Sequence, residues 1–121
     1  MARKQKQKAT QTHAVSLITL TNPSSPIAEQ YRTIRTNIQF ASAAGQQIKT
    51  IVVTSSGPGE GKSITSANIA VVFAKSGQRV LLVDADLRSP VVYKTFRLNN
   101  ASGLSTALSS SGSVADVIQR T

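Results

Sequence analysis

Three glycines precede a lysine and a serine in the run Ser55-Ser56-Gly57-Pro58-Gly59-Glu60-Gly61-Lys62-Ser63. Glycines at this spacing let successive backbone amides turn inward around an anion. The lysine amine can reach the β- and γ-phosphates of a nucleotide, and the serine hydroxyl after it is placed to ligate Mg²⁺. The run misses the formal phosphate-loop pattern at one position, where serine 56 replaces glycine.

We predict a phosphate-binding loop that consists of the following residues: Ser56, Gly57, Pro58, Gly59, Glu60, Gly61, Lys62, Ser63 and Ile64. The alternative is a glycine-rich turn that only lets a strand and a helix pack closely.

A pair of carboxylates, Asp84 and Asp86, follows the apolar run 80–83. Two carboxylates beside a magnesium–phosphate complex can hold the metal through its waters, or accept a proton from an attacking hydroxyl. We therefore predict Ser63, Asp84 and Asp86 as the metal-binding residues, and Lys62, Asp84 and Asp86 as the catalytic ones. The alternative role of Asp84 is structural, as a cap on the helix that follows it.

The elements around these motifs predict an α/β fold. Residues 51–53 and 80–83 are continuous apolar runs, as in strands buried on both faces of a parallel sheet. Between them, residues 63–75 have helical character and end at Ser76-Gly77. Because ligands bind outside the carboxyl ends of parallel strands, the loop and the aspartates should face one site. This pattern predicts a P-loop NTPase-like parallel sheet with flanking helices.

A long helix should precede the first strand. Ser25 is suited to the N-cap and Pro26 to the first helical position, and apolar residues recur from Ile27 at helical spacing as far as Gly45. Residues 15–20 have strand-like composition. After Asp86 we expect a short helix through residue 96, an ambiguous segment at 102–109, and a capping box at Ser113 that opens a last amphipathic turn.

Composition limits the class of protein. The chain has 121 residues and no cysteine, which excludes a disulfide scaffold and a zinc–thiolate site. Its net charge of +9 alone would suit nucleic acid, an anionic membrane surface or a phosphorylated ligand. The longest apolar run, 69–74, has six residues, whereas a membrane-spanning helix needs about 20. We expect a cytoplasmic protein with a basic, flexible segment at 1–20 and one domain at 21–121.

Three motifs in order resemble the bacterial tyrosine kinases of capsule and exopolysaccharide synthesis, of the cytoplasmic Gram-positive type. The run V-L-L-V-D-A-D-L-R-S-P at 80–90 is similar to that family's extra acidic motif, and the loop is similar to its S-x-x-P-G-E-G-K-[ST] pattern. Residues 29–38 resemble its E-x-x-R-x-x-R helix, which mediates ring-shaped self-association. The resemblance implies that Glu29, Arg32 and Arg35 are interface residues of a homo-oligomer.

The resemblance also implies an activity. The family consists of ATP- and Mg²⁺-dependent, autophosphorylating kinases that regulate polysaccharide polymerisation and export. Lys62 would bind the phosphates, Ser63 would ligate Mg²⁺, Asp84 would act as a base towards a tyrosine hydroxyl, and Asp86 would support the metal. Expected partners are a transmembrane activator, which recruits the kinase to the inner face of the plasma membrane, and a cognate tyrosine phosphatase. No nucleic acid is expected.

The resemblance covers only the N-terminal portion of such a kinase. A third acidic motif at the end of an apolar strand, and a tyrosine-rich tail, do not follow Arg88. We therefore expect residues 51–53 and 80–83 to lack the strand that joins them, which makes the chain alone marginally stable and inactive in phosphotransfer. Its tyrosines, Tyr31 and Tyr93, are most simply packing residues on helices.

Two other functions fit the sequence less well. Related ATPases that partition DNA or position division sites carry a K-G-G-x-G-K-[ST] loop, but Gly57 stands here in place of the first lysine and Pro58 follows it. A catalytically inactive nucleotide-binding adaptor fragment would fit the charge of +9 and the missing third acidic motif.

Overall fold

A computed structural model describes residues 16–121. Its helices are α1 (Ile18–Thr21), α2 (Pro26–Ala43), α3 (Lys62–Lys75), α4 (Val92–Thr95) and α5 (Leu104–Ser109), followed by a 3₁₀ turn at Val114–Val117. Of the basic, flexible segment expected at residues 1–20, residues 1–15 lie outside the described part, and residues 16–20 include most of α1. None of these helices combines the length and the apolar character that crossing a bilayer would require.

The long helix α2 begins where the sequence predicts. The Ser25 hydroxyl accepts a hydrogen bond from the Ala28 amide at 3.1 Å, and Pro26 occupies the first turn, where its missing N–H costs nothing. The helix ends at Ala43, and Gly45 follows with φ +136°. The N-cap and the extent of this helix are thus confirmed.

The helix after the glycine-rich loop, α3, is also confirmed. It begins at Lys62 and ends at Lys75, with Gly77 just beyond in the left-handed region at φ +89°. The Gly77 amide donates to the Ala74 carbonyl at 3.0 Å, so one of the last carbonyls of the helix is satisfied by the turn that stops it.

The strand expected at 15–20 is wrong over its described residues. Ile18–Thr21 forms one helical turn, in which the Leu20 and Thr21 amides both donate to the Leu17 carbonyl at 2.9 Å. The segment lies against α3 rather than beside another strand, and a helical turn satisfies its backbone without a strand partner. β-branched composition alone could not reveal this tertiary preference.

The buried side chains of the described residues lie where α1, α2 and α3 meet. They comprise the following set: Leu17, Thr19, Ala28, Ala67, Asn68, Val72 and Phe73. Arg35 of α2 strengthens this contact, because its guanidinium donates to the Val72 carbonyl in the last turn of α3 at 3.1 Å. A cation at the C-terminal end of a helix is also favoured by the helix dipole.

The two predicted strands do not pair within residues 16–121. Residues 51–53 and 80–83 contain no assigned strand there. Val52 is 81% exposed and Leu81 59% exposed, although both belong to runs typical of buried strands. A strand needs a neighbour for its N–H and C=O groups, and the described residues supply none.

The last third of the described chain surrounds a cavity of about 330 Å³, whose walls include Leu82, Tyr93, Leu104 and Val117. The short helix expected before residue 96 forms as α4, and the ambiguous segment at 102–109 contains α5. The last turn is 3₁₀ rather than α-helical. Its Ser113 hydroxyl accepts from the Ala115 amide at 3.2 Å, which caps the turn.

The exposed apolar runs predict self-association. Replacing Val52 or Leu81 by lysine should lower binding of a hydrophobic dye and aggregation, with little loss of stability, because these side chains already face solvent. Dye fluorescence and urea unfolding provide the measurements. In contrast, Val72→Lys should unfold the chain, since Val72 is only 2% exposed. Equal destabilisation by all three substitutions would contradict the observed exposure.

Candidate phosphate-binding site

The glycine-rich loop ends in a left-handed residue that turns the chain into α3. Gly61 is the N-cap of α3 with φ +87°, and Gly59 has φ +71°. A Cβ at Gly61 would also lie 3.3 Å from the Cγ2 atom of Ile64. Because an L side chain is strained at such φ values, glycine is required at both positions for the loop to keep this path.

The Lys62 amine lies inside the loop. It donates to the Ser55 hydroxyl at 2.8 Å and to the Gly57 carbonyl at 3.0 Å, and the Ser55 hydroxyl itself donates to the Gly57 carbonyl at 2.7 Å. Both acceptors of the ammonium group are neutral. Phosphate oxygens offer it stronger, charge-assisted hydrogen bonds. The lysine is therefore placed to exchange loop contacts for an anion.

The first turn of α3 leaves its amides available to such an anion. Within the described residues, no side chain caps this turn, since the N-cap residue Gly61 has none to offer. The first N–H groups of a helix have no intrahelical acceptor, and the positive end of the helix dipole adds to their attraction for anions. Lys62, Ser63 and Ile64 occupy this turn. The predicted loop residues thus converge on one helix end.

Ser56 and Glu60 close the outer side of the loop. The Ser56 hydroxyl donates weakly to the Glu60 carboxylate, at 3.4 and 3.5 Å. A Cβ at Gly57 would lie 3.3 Å from Oε1 of Glu60, so the absence of a side chain there lets the carboxylate fold over the loop. Pro58 is exposed next to it. These residues shape the loop, whereas Lys62 supplies its positive charge.

Asp84 does what the structural alternative predicts. Its Oδ2 atom accepts from the amides of Val91 and Val92, both at 3.2 Å, and so caps the start of α4. Its Oδ1 atom accepts from the Asp86 amide at 3.1 Å. These bonds fix the direction of the carboxylate. Each carboxylate oxygen has two acceptor sites, so Oδ1 can still accept a further donor or bind a metal.

Asp86 is exposed, and one of its oxygens holds a turn. Oδ1 accepts from the amides of Arg88 at 3.2 Å and Ser89 at 3.0 Å, and Oδ2 takes no part in these bonds. No group of three or more His, Cys, Asp or Glu able to hold a metal occurs in residues 16–121. A magnesium ion here would therefore need oxygen ligands from phosphate, water and Ser63 besides a carboxylate, which is a set that Mg²⁺ prefers.

The structure groups the predicted residues into two separate sets. Lys62, Ser55 and Gly57 form one hydrogen-bonded cluster, and Asp84 and Asp86 share one turn. Across the part of the chain that the structure describes, no hydrogen bond or ion pair joins the two sets. Each set follows one of the two unpaired apolar runs, so nothing in the described backbone holds the two run ends side by side.

The three residues of the predicted interface differ in their surroundings. Glu29 and Arg32 form an ion pair one turn apart on α2, with the Arg32 Nε atom 2.9 Å from Oε2, and Arg32 also donates to the Pro23 carbonyl at 2.7 Å. Arg35, in contrast, reaches α3. Its Nε atom is buried and makes no hydrogen bond to a described residue. The three residues therefore do not form one uniform exposed surface.

Two polar residues that support the site were not predicted. Ser55 accepts from Lys62, and Asn68 is fully buried in α3. The signal for Asn68 was its position: it lies in the run A-N-I-A-V-V-F, where a polar side chain in a helix interior requires partners. Its partners lie about fifty residues away in sequence, at Ser16 and Thr19, which is why no local pattern identified them.

Both tyrosines are half-buried. Tyr31 lines a groove of about 220 Å³ between α2 and Thr65 of α3. Tyr93 lines the larger cavity, and the Lys94 amine lies 5.8 Å from its ring centre. These positions are those of packing residues on helices.

Comparison with known proteins identifies the family. Residues 51–119 match the model of the CobQ/CobB/MinD/ParA nucleotide binding domain. The chain is 52% identical over 104 residues to the tyrosine-protein kinase YwqD of Bacillus subtilis, covering 86% of this chain and 44% of that kinase. It is 42% identical over 99 residues to the putative tyrosine-protein kinase CapB of Staphylococcus aureus, covering 82% of this chain and 43% of the relative. It thus spans less than half the length of these relatives.

A solved structure shows the same fold. The crystal structure of the chimerical protein CapA2B2 superimposes with a TM-score of 0.75 at 40% identity, covering 85% of this chain and 46% of that one. Together with the family model, this likeness confirms the expected P-loop NTPase-like class, although the two strands are unpaired here. The chain therefore belongs to the CobQ/CobB/MinD/ParA nucleotide-binding domain family and is homologous to bacterial tyrosine-protein kinases.

Proposed function

We propose that the loop before α3 binds the phosphates of ATP with Mg²⁺. The observation on which this rests most directly is the Lys62 ammonium group, held on neutral acceptors at the uncapped first turn of α3. A triphosphate would satisfy both the ammonium group and the first-turn amides. Ser63, the second residue of that turn, would add a hydroxyl ligand for the metal.

We further infer that the aspartate pair serves the chemical step. Asp84, whose carboxylate is fixed by three backbone amides, would accept the proton of an incoming tyrosine hydroxyl. Asp86 has an oxygen outside its turn bonds with which to support Mg²⁺. Bound Mg·ATP supplies the phosphoryl group and its neutralising metal. The protein contributes mainly position and charge, as phosphoryl transfer requires.

The function we propose for the whole protein is that of an autophosphorylating protein-tyrosine kinase in capsule or exopolysaccharide synthesis. The identity to YwqD and CapB, which are named as tyrosine kinases, supports this. A transmembrane activator would recruit it to the inner face of the plasma membrane, and a tyrosine phosphatase would reverse its phosphorylation. Glu29 and Arg32 would contribute to a ring-shaped homo-oligomer.

A nucleotide-binding adaptor without phosphotransfer is the second candidate. The unpaired runs at 51–53 and 80–83 favour the adaptor, since no strand pairing within residues 16–121 brings the loop and the aspartates together. It shares the ATP site and differs only in the chemical step. Nucleotide binding therefore tests both candidates, and phosphotyrosine formation separates them.

Replacing Lys62 by alanine should weaken Mg·ATP binding about tenfold to a hundredfold, because hydrogen bonds from a charged donor to the phosphates are lost. Isothermal titration calorimetry measures the change. Lys49→Ala is the matched control, since Lys49 is an exposed lysine before the loop and should leave the affinity unchanged. Equal binding by all three proteins would overturn the assignment of the loop.

The kinase proposal predicts phosphotransfer when the chain is joined to the rest of a homologous kinase. We expect the chain, joined to the part of YwqD that it does not cover, to form phosphotyrosine with ATP and Mg²⁺. Asp84→Asn and Asp86→Asn should reduce the signal on an anti-phosphotyrosine blot, since each removes a negative charge from the metal and proton-transfer site. Asp116→Asn, in the exposed 3₁₀ turn, is the control. A fusion that binds ATP without forming phosphotyrosine would favour the adaptor.

Substitutions of the two arginines of α2 should have different effects, one on the free energy of unfolding and the other on oligomer formation. Arg35→Ala should lower the free energy of unfolding by about 2 kcal/mol, because the Val72 carbonyl loses a charged donor. Arg32→Ala removes an ion pair and a hydrogen bond to the Pro23 carbonyl, but both are exposed to water, so it should cost less than about 1 kcal/mol, while it reduces the oligomer seen in sedimentation velocity. Urea unfolding gives the first quantity. An unchanged oligomer in Arg32→Ala would remove this residue from the proposed interface.

A further inference from the structure

A single buried amide joins the N-terminal segment to the helix of the phosphate loop. Asn68 is 0% exposed in the middle of α3. Its Oδ1 atom accepts from the Thr19 amide at 3.1 Å and from the Thr19 hydroxyl at 2.8 Å. Its Nδ2 atom donates to the Ser16 carbonyl at 2.8 Å and to the Ile64 carbonyl at 2.9 Å. The side chain thus uses its full hydrogen-bonding capacity.

The segment that contains Thr19 is attached to α3 at a second point. Thr19 is 1% exposed, and its carbonyl accepts from the Lys75 amine at 3.0 Å. Asn68 and Lys75 lie about two helical turns apart on α3, so the segment runs along one face of the helix. Leu17, two residues before Thr19, is also buried. This contact holds α3 against the segment that precedes α2.

Contacts lead from this amide to the loop itself. Ile64, whose carbonyl accepts from Asn68, is in the first turn of α3. Its Cγ2 atom packs so close to Gly61 that a Cβ there would lie 3.3 Å away. Gly61 is the left-handed residue that sets the direction of the following amides. Movement of Ile64 would therefore change the path of the phosphate loop.

We propose that Asn68 is a positioning residue for phosphate binding, with Thr19 and Ser16 as the support that holds it. Asn68 fixes the carbonyl of Ile64 and thereby keeps the first turn of α3 in the arrangement that a phosphate needs. A flexible loop binds its ligand more weakly, because part of the binding free energy is used to order the loop. A loop that is already ordered avoids this loss. This inference rests on the proposed binding of Mg·ATP at the loop.

Thr19→Val provides the mildest test. Valine has the shape of threonine and lacks the hydroxyl that donates to Asn68. We expect it to weaken Mg·ATP binding about fivefold, and Asn68→Ala to weaken it more than about tenfold. Thr19→Ser keeps the hydroxyl and should retain wild-type affinity. Thr21→Val is the matched control, because the exposed Thr21 hydroxyl on the same short helix bonds only to the nearby Leu17 carbonyl.

The measurement separates positioning from stability. Calorimetry with Mg·ATP is done on the full chain at a temperature where circular dichroism shows each variant folded, and thermal unfolding is recorded in parallel. Weaker binding by the folded Thr19→Val protein, with recovery in Thr19→Ser, supports the proposal. Lower melting temperatures with unchanged affinity overturn it.

Three further outcomes are distinguished. If Asn68→Ala does not fold, the Thr19 pair decides alone. If wild type binds Mg·ATP and Lys62→Ala does not, while both Thr19→Val and Asn68→Ala bind as wild type does, this inference fails and the proposed function stands. Absence of binding by the wild-type chain overturns the proposed function, and the positioning role with it.

Discussion

The packing of α3 against the residues that precede the loop is the contact on which the described structure depends. Every fully buried side chain in residues 16–121 lies in that contact. It contains small residues, such as Ala28 and Ala67, that let helices approach closely, and polar groups that satisfy one another completely. A buried, fully bonded amide specifies one register between segments, because any slip leaves polar atoms unpaired. The start of α3, and with it the loop, takes its position from this contact.

The two apolar runs show what happens when such partners are absent. Residues 51–53 and 80–83 have the composition of central strands, and in the described chain neither has a partner. An apolar, β-branched run favours a strand, but its N–H and C=O groups need hydrogen-bond partners from another segment that is distant in sequence. Helices satisfy most backbone groups internally, which is why α2 and α3 form fully while the strands do not.

This difference also explains what the sequence could predict. Local signals sufficed for the cap at Ser25, the stop at Gly77 and the loop ending in Gly61, because each depends on residues within one turn. The strand expected at 15–20 was wrong, because the packing partner of Thr19 lies on α3. The roles of Asn68 and Arg35 escaped prediction for the same reason. Their partners are distant in sequence, and composition contains no information about such pairs.

The candidate site depends both on local contacts and on contacts between segments that are distant in sequence. Lys62 is oriented by acceptors within seven residues, and Asp84 by amides within eight, so the direction of each charged group is fixed locally. The distance between the Lys62 amine and the Asp84 carboxylate is not fixed locally. It depends on whether the apolar runs 51–53 and 80–83 lie side by side. Each half of the site can therefore form by itself, whereas chemistry that uses both requires the pairing of strands. In the proposed function, the phosphates would contact the first half alone, whereas metal support by Asp86 and proton transfer to Asp84 would need both halves.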